Sequence, residues 1–210
     1  MIFEMTEGTD GTSRIEFSGF GKWDATPHVN ALTFDSPMPH YTPDRLAVAL
    51  VLAFGHAFGG RVDFPFDIDV QTVDAIEGFL YPARVHVATF HDGPTKVIEG
   101  ANRLHLATTL NSIDPAKCLQ TDRILTLVPS SEYRGALYPL RGRIVASNSF
   151  IFRRKGFDLD FADVSLGVLY AADMNAGGIV LPGEFPAIRK LRKLLASVAL
   201  QVSVDNNLRV

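Results

Sequence analysis

The chain has 210 residues, of which 47% are hydrophobic and 20% charged, and this composition is typical of a globular protein rather than a disordered one. Its net charge of −3 gives no electrostatic case for nucleic acid as a partner. Its longest apolar stretch, Leu46 to Phe54, is far below the roughly 20 residues that span a bilayer, so we expect no membrane association.

The cysteine content and the first residues bear on location. Cys118 is the only cysteine, so the chain can form neither an intrachain disulfide nor a cluster of thiolate metal ligands. Met1 to Met5 lack the basic and apolar regions of a signal peptide. We therefore expect a cytoplasmic protein, in which Cys118 is a structural thiol.

The first half alternates strand and helix signals. Ile15 and Phe17 alternate with polar residues as in a strand, and Val29 to Phe34 indicates another. Thr42 suits the N-cap of a helix that continues through Leu46 to Phe54, where it is apolar on every side and hence buried. We expect Gly59-Gly60 to end that helix, because glycine readily adopts the left-handed conformation of a helix C-terminus.

A second strand and helix follow. Arg61 to Phe64 indicates a strand, and Asp67 or Asp69 can cap a helix whose apolar stripe has a spacing of three to four residues. The sequence then predicts strands at Val85 to Phe90 and at Lys96-Val97-Ile98. The predicted order of this unit is β-α-β-α-β-β.

The second half has the same predicted order. Its elements are a strand at Ile144 to Phe152, a helix at Phe161 to Met174 capped by Asp160, a strand at Ile179 to Leu181, a helix at Phe185 to Ala196 and a strand at Val198 to Val204. Gly177-Gly178 is expected to end the first of these helices. Leu104 to Thr108 and Arg123 to Val128 indicate further strands between the two units.

A shift of 118 positions aligns the two halves without a gap. It pairs Asn30 with Asn148, Phe34 with Phe152, and both glycine pairs, and it aligns the apolar positions as well. We therefore predict an α+β fold of two tandem β-α-β-α-β-β units that arose by internal duplication, with sheets whose helices pack on one face. The first repeat unit with N-terminal strands covers residues 1–110, the linker 111–121 and the second unit 122–210. Val29–Gly60 and Ser147–Gly178 are expected to superpose.

The predicted element order resembles that of the enolpyruvyl transferases and the RNA 3′-phosphate cyclases. The chain lacks the Lys-Ser start and the substrate-binding arginines of the transferases and is too short for their two domains. Thr42 to Phe90 also resembles the region that precedes the pyrophosphatase domain of deazaguanine-synthase-like proteins, whose Ser-Gly-Gly phosphate loop is absent. Neither resemblance implies a function for this chain, because function resides in a site rather than a fold.

The candidate chemistry is sparse. His86, His91 and His105 would form a metal site only if their strands were neighbours, and His86 and His91 lie on opposite faces of a regular strand, so we predict no metal. The glycine motifs that bind phosphate or dinucleotide are absent, so we predict no cofactor. Whether the protein is an enzyme stays open.

Basic residues are concentrated in the second half. Residues 1–118 have a net charge of −7 and residues 119–210 a net charge of +4. Converging arginines can bind a phosphate or a carboxylate, and the candidates for such an anion site are Arg141, Arg143, Arg153 and Arg154. The outer face of the last helix, with Arg189, Lys190, Arg192 and Lys193, could bind an acidic surface of another subunit.

Two functions remain. The first is a two-repeat binding or assembly module without catalysis that associates with itself. The second is an enzyme that acts on a small anionic substrate, bearing phosphate or carboxylate, held by those four arginines between the units. A deep pocket lined by the arginines together with a titratable His would favour the enzyme. A flat apolar or charge-complementary face without such a pocket would favour the module. The sequence identifies neither substrate, partner nor pathway.

Overall fold

Thirteen strands and four helices make up the part of the chain that the computed structural model describes, which is residues 2–19, 21–88, 90–91, 99–110, 113, 118–182, 185 and 187–205. The strands are β1 (Ile2–Glu7), β2 (Ser13–Ser18), β3 (Ala31–Phe34), β4 (Gly60–Val62), β5 (Ile68–Asp69), β6 (Val85–Val87), β7 (Phe90–His91), β8 (Asn102–Ala107), β9 (Arg123–Pro129), β10 (Ala136–Leu137), β11 (Gly142–Ser147), β12 (Ala176–Pro182) and β13 (Gln201–Asp205). The helices are α1 (Pro43–Phe54), α2 (Val70–Leu80), α3 (Phe161–Tyr170) and α4 (Ile188–Ala196). This mixed content is consistent with the predicted α+β class.

Both halves of the chain contribute to one nine-stranded sheet, which we call the central sheet. Its order is β1-β2-β3-β11-β9-β8-β12-β13, and β10 pairs with β11. β1, β2 and β3 pair in antiparallel fashion and β3 pairs antiparallel to β11, whereas the strands from β11 to β13 in that order are parallel. Two parallel pairs, β4 with β6 and β5 with β7, form separate small sheets. α2 connects β4 to β6 and α4 connects β12 to β13, as parallel neighbours require.

α1 and α3 lie at the centre of the core and pack against each other. All α1 residues from Asp44 onward and all α3 residues from Ala162 onward are buried, which confirms the prediction that α1 is buried on every side. The predicted cap of α1 is also confirmed, because the side chain of Thr42 accepts a hydrogen bond from the backbone N–H of Arg45 at 3.3 Å. The buried apolar side chains of both helices belong to the larger of the two core clusters among the described residues.

α2 and α4 are amphipathic and pack against each other. α2 begins after Asp69, whose side chain accepts from the backbone N–H of Gln71 at 2.7 Å. α4 buries three leucines, namely Leu191, Leu194 and Leu195. The sequence predicts both helices from their apolar spacing, although α4 begins three residues later than expected.

The glycine pairs do not end helices, and that prediction is wrong, because α1 and α3 end several residues before them. Gly60 opens β4 with a φ of +81°, and Gly177 lies within β12. A Cβ at Gly177 would overlap the carbonyl oxygen of Gly100, and one at Gly59 would overlap that of Trp23. The glycines therefore permit close approach of two backbone segments.

The strand predicted over 144–152 ends before Asn148, so the prediction is wrong for its last five residues. Oδ1 of Asn148 accepts from the backbone N–H of Thr33 at 2.8 Å, and its Nδ2 donates to the carbonyl of Ala31 at 2.8 Å. Because this side chain takes the bonds that the backbone of a longer strand would make to β3, the chain turns away into a 3-10 turn at Ser149–Phe152.

The helices of the two halves begin at a constant offset, but the strands do not follow it throughout. α3 begins 118 residues after α1, and α4 begins 118 residues after α2. The position equivalent to β3 is the 3-10 turn at Ser149–Phe152, so the expected superposition of Val29–Gly60 on Ser147–Gly178 is wrong in its strand part. The predicted strand at 96–98 and most of the predicted linker at 111–121 lie outside the described residues.

Candidate functional site

Arg153 and Arg154, two of the four arginines predicted to bind an anion, contact carboxylates at the start of α3. Nε and Nη2 of Arg153 donate to both oxygens of Asp163, each at 2.9 Å. Nε and Nη2 of Arg154 make the same bidentate contact with the two carboxylate oxygens of Asp160, at 2.7 and 2.8 Å. The two carboxylates also form a reciprocal capping box, so these arginines hold the N-terminus of α3.

The carboxylate of Asp160 keeps its charge although it is buried. Burial alone would raise the pKa of Asp160. Hydrogen bonds from the side chain and backbone N–H of Arg154, together with the backbone N–H of Phe161, outweigh burial and hold that pKa below its ordinary value. The ion pair between Asp160 and Arg154 therefore depends on pH, because it requires the ionised carboxylate.

Arg143 lies at the other end of α3. Its Nη1 donates to Oδ2 of Asp173 at 3.0 Å, and its guanidinium lies over the rings of Tyr138 and Tyr170 at 5.2 and 5.4 Å. Asp173 also accepts from the backbone N–H of His40 at 3.1 Å and contacts Nδ1 of His40 at 2.8 Å. Arg143 thus helps to join the loop after β3 to α3.

The four arginines do not meet in one site. Arg141 donates through Nη2 to the carbonyl of Leu119, and the other three contact carboxylates on α3 or next to it. A described pocket of about 720 Å³ at the N-terminal ends of β8, β12 and β13 is lined by Glu99 and Arg192 among others, but by none of these arginines. Anion binding by them stays a prediction that no described contact favours.

The basic face of α4 is exposed at Arg189, Arg192 and Lys193, whereas Lys190 is half-buried. Nζ of Lys190 donates to the backbone carbonyls of Phe79, at 3.3 Å, and of Tyr81, at the C-terminal end of α2. A cation at a helix C-terminus is favourable, so part of this basic face already contacts the acidic half of the same molecule. A contact with another subunit stays a prediction.

The three histidines considered for a metal have different surroundings. His86 lies in the small sheet of β4 and β6 and contacts Glu77 at 3.2 Å, whereas His105 lies in the central sheet. The side chain of His91 is outside the described residues. His86 and His105 are therefore not on neighbouring strands of any described sheet.

Three exposed apolar side chains lie close together in sequence at the turn from β10 to β11. The exposed fraction is 65% for Leu137, 58% for Tyr138 and 99% for Leu140. Leu119 is 61% exposed, and its carbonyl accepts from Arg141 next to Leu140. We call Leu119, Leu137, Tyr138 and Leu140 the Leu140 patch.

A polar cluster lies on the face of the central sheet opposite the main core. The side chains of β8 alternate, so Leu104 and Leu106 enter the core while Arg103 and His105 lie on the other face. Asp122 precedes β9, and its carboxylate accepts from Nε and Nη2 of Arg103 at 3.0 and 2.8 Å. The pairing of β8 with β9 therefore places these three side chains together.

His105 is 3% exposed and contacts Asp122 through Nε2 at 3.1 Å. Asp122 also accepts from the backbone N–H of Leu119 at 2.9 Å. A nitrogen of His105, the sulfur of Cys118 and a carboxylate oxygen of Asp122 lie within 4.8 Å of one another. Cys118 is half-buried and packs against a small apolar cluster that contains Ala107 and Val180.

The hydrogen bonds determine the proton positions in this cluster. Burial would raise the pKa of Asp122, but the hydrogen bonds from Arg103, Leu119 and His105 outweigh it and lower that pKa. The ionised carboxylate can only accept, so Nε2 of His105 carries the hydrogen and Nδ1 has a lone pair. Nδ1 is buried and has no hydrogen-bond partner among the described residues.

These three residues have the atom types of a zinc site, but their surroundings oppose a metal ion. Asp122 already accepts two hydrogen bonds from Arg103 and one each from Leu119 and His105. The guanidinium charge would repel a second cation at the same carboxylate. We therefore assign no metal to the described cluster.

This cluster is not predicted from the sequence. The sequence places His105 only among candidate histidine ligands, favours a structural role for Cys118 and gives no signal for Asp122 alone. A usable signal is the alternation of Arg103 and His105 on one strand, with Asp122 immediately before the next strand. Recognising it requires knowing that β8 and β9 are neighbours, which one sequence does not reveal.

Comparisons with known proteins add no relative. Neither family models, nor curated proteins, nor solved structures give a match to this chain. Among the described residues, no helix has both the length and the apolar character needed to span a bilayer.

Proposed function

We propose that the chain is a two-repeat binding module that associates with a second copy of itself through the Leu140 patch. The observation that carries the proposal is the exposure of Leu140, at 99%, beside two other exposed apolar side chains, Leu137 and Tyr138. A contiguous exposed apolar patch on a soluble domain is typical of an interaction site. The arginines that the alternative enzyme would need contact protein groups instead.

The repeat itself is part of the proposal. The 118-residue offset of both helix pairs supports a duplication, and so does the packing of each helix on its counterpart, α1 on α3 and α2 on α4. The pairs β4–β6 and β12–β13 occupy equivalent places in the two halves and are both parallel. Divergence after duplication accounts for the 3-10 turn that lies where a second β3 would be.

A second copy suits this surface better than an unrelated partner. A two-fold contact lets each exposed leucine pack against the same patch of the other copy, so one sequence supplies both sides. The neighbouring segment has exposed charges of both signs, Glu132 and Arg134, which two antiparallel copies could pair. The short β10 contributes Leu137 to the patch.

Sedimentation velocity tests the proposal with matched variants. We expect a dimer for the native chain at 0.1 M and at 1 M salt, because apolar contacts do not weaken as the Debye length falls from about 10 to 3 Å. Leu137→Ser/Leu140→Ser should be a monomer. Ile151→Ser, at a residue 53% exposed and outside the patch, should remain a dimer. A monomeric native chain, or a dimeric double variant, would contradict the proposal.

The basic face of α4 gives a competing contact with a different salt response. If its charges hold an acidic surface of a second subunit, the dimer should dissociate at 1 M salt and in Arg189→Glu/Lys193→Glu. Arg189 and Lys193 are the informative positions, because Lys190 and Arg192 donate to backbone carbonyls of their own chain. If the dimer is lost both in this variant and at high salt, the interface is the basic face of α4 and not the Leu140 patch.

The cytoplasmic location and the small anionic ligand both remain predictions. A cytoplasmic location rests on the single cysteine. The alternative of an enzyme acting on a small anionic substrate rests on the basic character of the second half. Titration calorimetry with inorganic phosphate and with acetate tests that alternative, and absence of heat with both anions would contradict it.

A further inference from the structure

We propose that a pocket beside the C-terminal end of α4 binds short peptides with free termini, with Arg192 contacting the peptide carboxylate and Glu99 contacting the ammonium group. We call it the Arg192 pocket, and Gly177, Ala196 and Val202 are also among its lining residues. Ligand binding at this pocket goes beyond self-association and does not depend on it. The observations that carry the proposal are two opposite charges in one pocket and a backbone bulge in its wall.

The two charged side chains of the Arg192 pocket are available to a ligand. Nε of Arg192 donates to the carbonyl of Val202 at 3.3 Å, which holds the guanidinium at the pocket, and neither Nη nitrogen has a partner among the described residues. The carboxylate of Glu99 makes no hydrogen bond or ion pair in the described part of the chain, so it is not paired with Arg192. Because both signs are present and unpaired, the pocket suits a ligand with a carboxylate at one end and an ammonium group at the other.

The end of α4 adds to the preference for an ammonium group. Ala196 is the last residue of α4, and Ala199 follows it with a φ of 54°. The backbone N–H of Ala199 donates to the carbonyl of Ala196 at 3.2 Å, and that of Leu200 donates to Leu195 at 3.0 Å, so the chain turns into β13 directly at the pocket. The carbonyls at a helix C-terminus carry a partial negative charge. Together with Glu99, they oppose a ligand that has only negative charge.

A bulge in β12 presents backbone groups to the pocket. Between Ala176 and Gly178, β12 has one more residue than β8, and the pairing of β12 with β13 begins only at Gly178. Gly177 therefore has no residue opposite it in either neighbouring strand, and a bulged residue is left outside the ladder of backbone hydrogen bonds. Gly177 lines the pocket and has no side chain that would keep a peptide backbone away. The bulge thus supplies a contact for the backbone of a bound peptide.

The size and the lining of the Arg192 pocket favour a peptide of a few small residues. Its volume of about 720 Å³ is within the range of about 300–1,000 Å³ that is typical of small-molecule sites. An extended chain covers about 3.3–3.6 Å per residue, so three residues separate the two terminal charges by about 10 Å. Ala196, Ala199 and Val202 give the wall small apolar side chains, which leave room for methyl groups. Trialanine is therefore the probe that suits this pocket.

Titration calorimetry of the native chain with trialanine and two capped analogues tests the charge preference of the pocket. We expect saturable binding of one trialanine per chain. N-acetyl-trialanine lacks the ammonium group and trialanine amide lacks the carboxylate, so each should bind at least about fivefold more weakly than trialanine. No saturable binding of trialanine up to about 10 mM, or equal affinities for all three peptides, would overturn the proposal. This result does not depend on whether any variant folds.

Two variants assign the charges to individual side chains. In Glu99→Gln, trialanine should bind no more tightly than N-acetyl-trialanine, whereas its advantage over trialanine amide should remain. In Arg192→Gln, trialanine should lose its advantage over the amide and keep that over the N-acetyl peptide. Arg189→Gln is the matched control, because Arg189 is an exposed residue of the same helix that does not line the pocket, and it should show the native affinities. A folded Glu99→Gln or Arg192→Gln with the native preferences would overturn the assignment.

Amide chemical shifts locate the bound peptide on the native chain. Trialanine should shift the backbone amide resonances of Gly177, Ala199 and Gln201, which line the pocket, and should leave those of 136–141 unchanged. Saturable binding without shifts at these three residues would overturn the Arg192 pocket as the site. Sedimentation of the ligand-free chain reports the oligomeric state separately, so failure of the peptide site and failure of self-association are recognised independently.

Discussion

Leu50 shows how the core of α1 follows from sequence. The expectation that Leu50 and Leu52 are both inaccessible is confirmed, at 1% and 4% exposed. Leu50→Ala should reduce the free energy of unfolding by about 2–5 kcal/mol, because the variant loses transfer energy and leaves a cavity. Leu137→Ala, at an exposed position, should change it by no more than about 0.5 kcal/mol in the monomer. Chemical denaturation with an effect below about 1 kcal/mol at Leu50 would contradict the packing described here.

Asp160 makes stability depend on pH at the start of α3. Its pKa in the folded chain is below the unfolded value, so its contribution is present above the unfolded pKa near 3.9 and is lost as pH falls through the folded one. Asp160→Asn should therefore destabilise the protein at pH 7, and the difference from the native chain should shrink as the pH falls below about 4. Asp158→Asn, at an exposed neighbour, should show no such trend. Urea titrations at several pH values would check this, and a difference that grows towards acid would refute it.

Some residue roles could be predicted and others could not. Thr42 and Asp69 act within two or three residues of the chain, so their capping roles follow from local sequence. Asn148 and the pair of His105 with Asp122 act between strands brought together by the fold. Their roles depend on strand order, which a single sequence does not specify.

At the scale of elements, a substitution at Gly177 tests whether the glycine pairs of the two halves are needed for close backbone contacts. Gly177→Ala would place a methyl group against the carbonyl of Gly100 and should destabilise the protein, because this neighbour is backbone and one of the two segments would have to shift. Gly78→Ala in α2 meets nothing within 4 Å and should stabilise by about 0.5–1 kcal/mol. Thermal unfolding of both variants checks this. Equal midpoints would show that the backbone contact at Gly177 is not tight.

The helices were more predictable than the strands. Apolar spacing and caps predict all four helices, with errors of a few residues at their ends. β1 was missed because Ile2 to Glu7 follow no clear alternation and form a strand by pairing with β2. The helix-ending role given to the glycines was wrong because the same residue also serves at close backbone contacts, and sequence does not distinguish these uses.

At the scale of the whole molecule, the central sheet combines the two halves. β3 and β8 from the first half pair with β11, β9 and β12 from the second. The sequence predicted two units in tandem but not that their strands join one sheet, because pairing partners are set by long-range contacts. The same joining of strands creates the cluster around His105 and leaves the Leu140 patch at the turn into β11.

Hydrogen–deuterium exchange of the native chain at low and high protein concentration tests the proposed self-association most directly, because it reports the position of the interface as well as its existence. As concentration rises, protection should increase in peptides that cover 119 and 136–141. Peptides that cover α4 should not change, and neither should any peptide of Leu137→Ser/Leu140→Ser. Protection that is independent of concentration at 136–141, or that rises on α4 instead, would contradict the Leu140 patch as the docking surface.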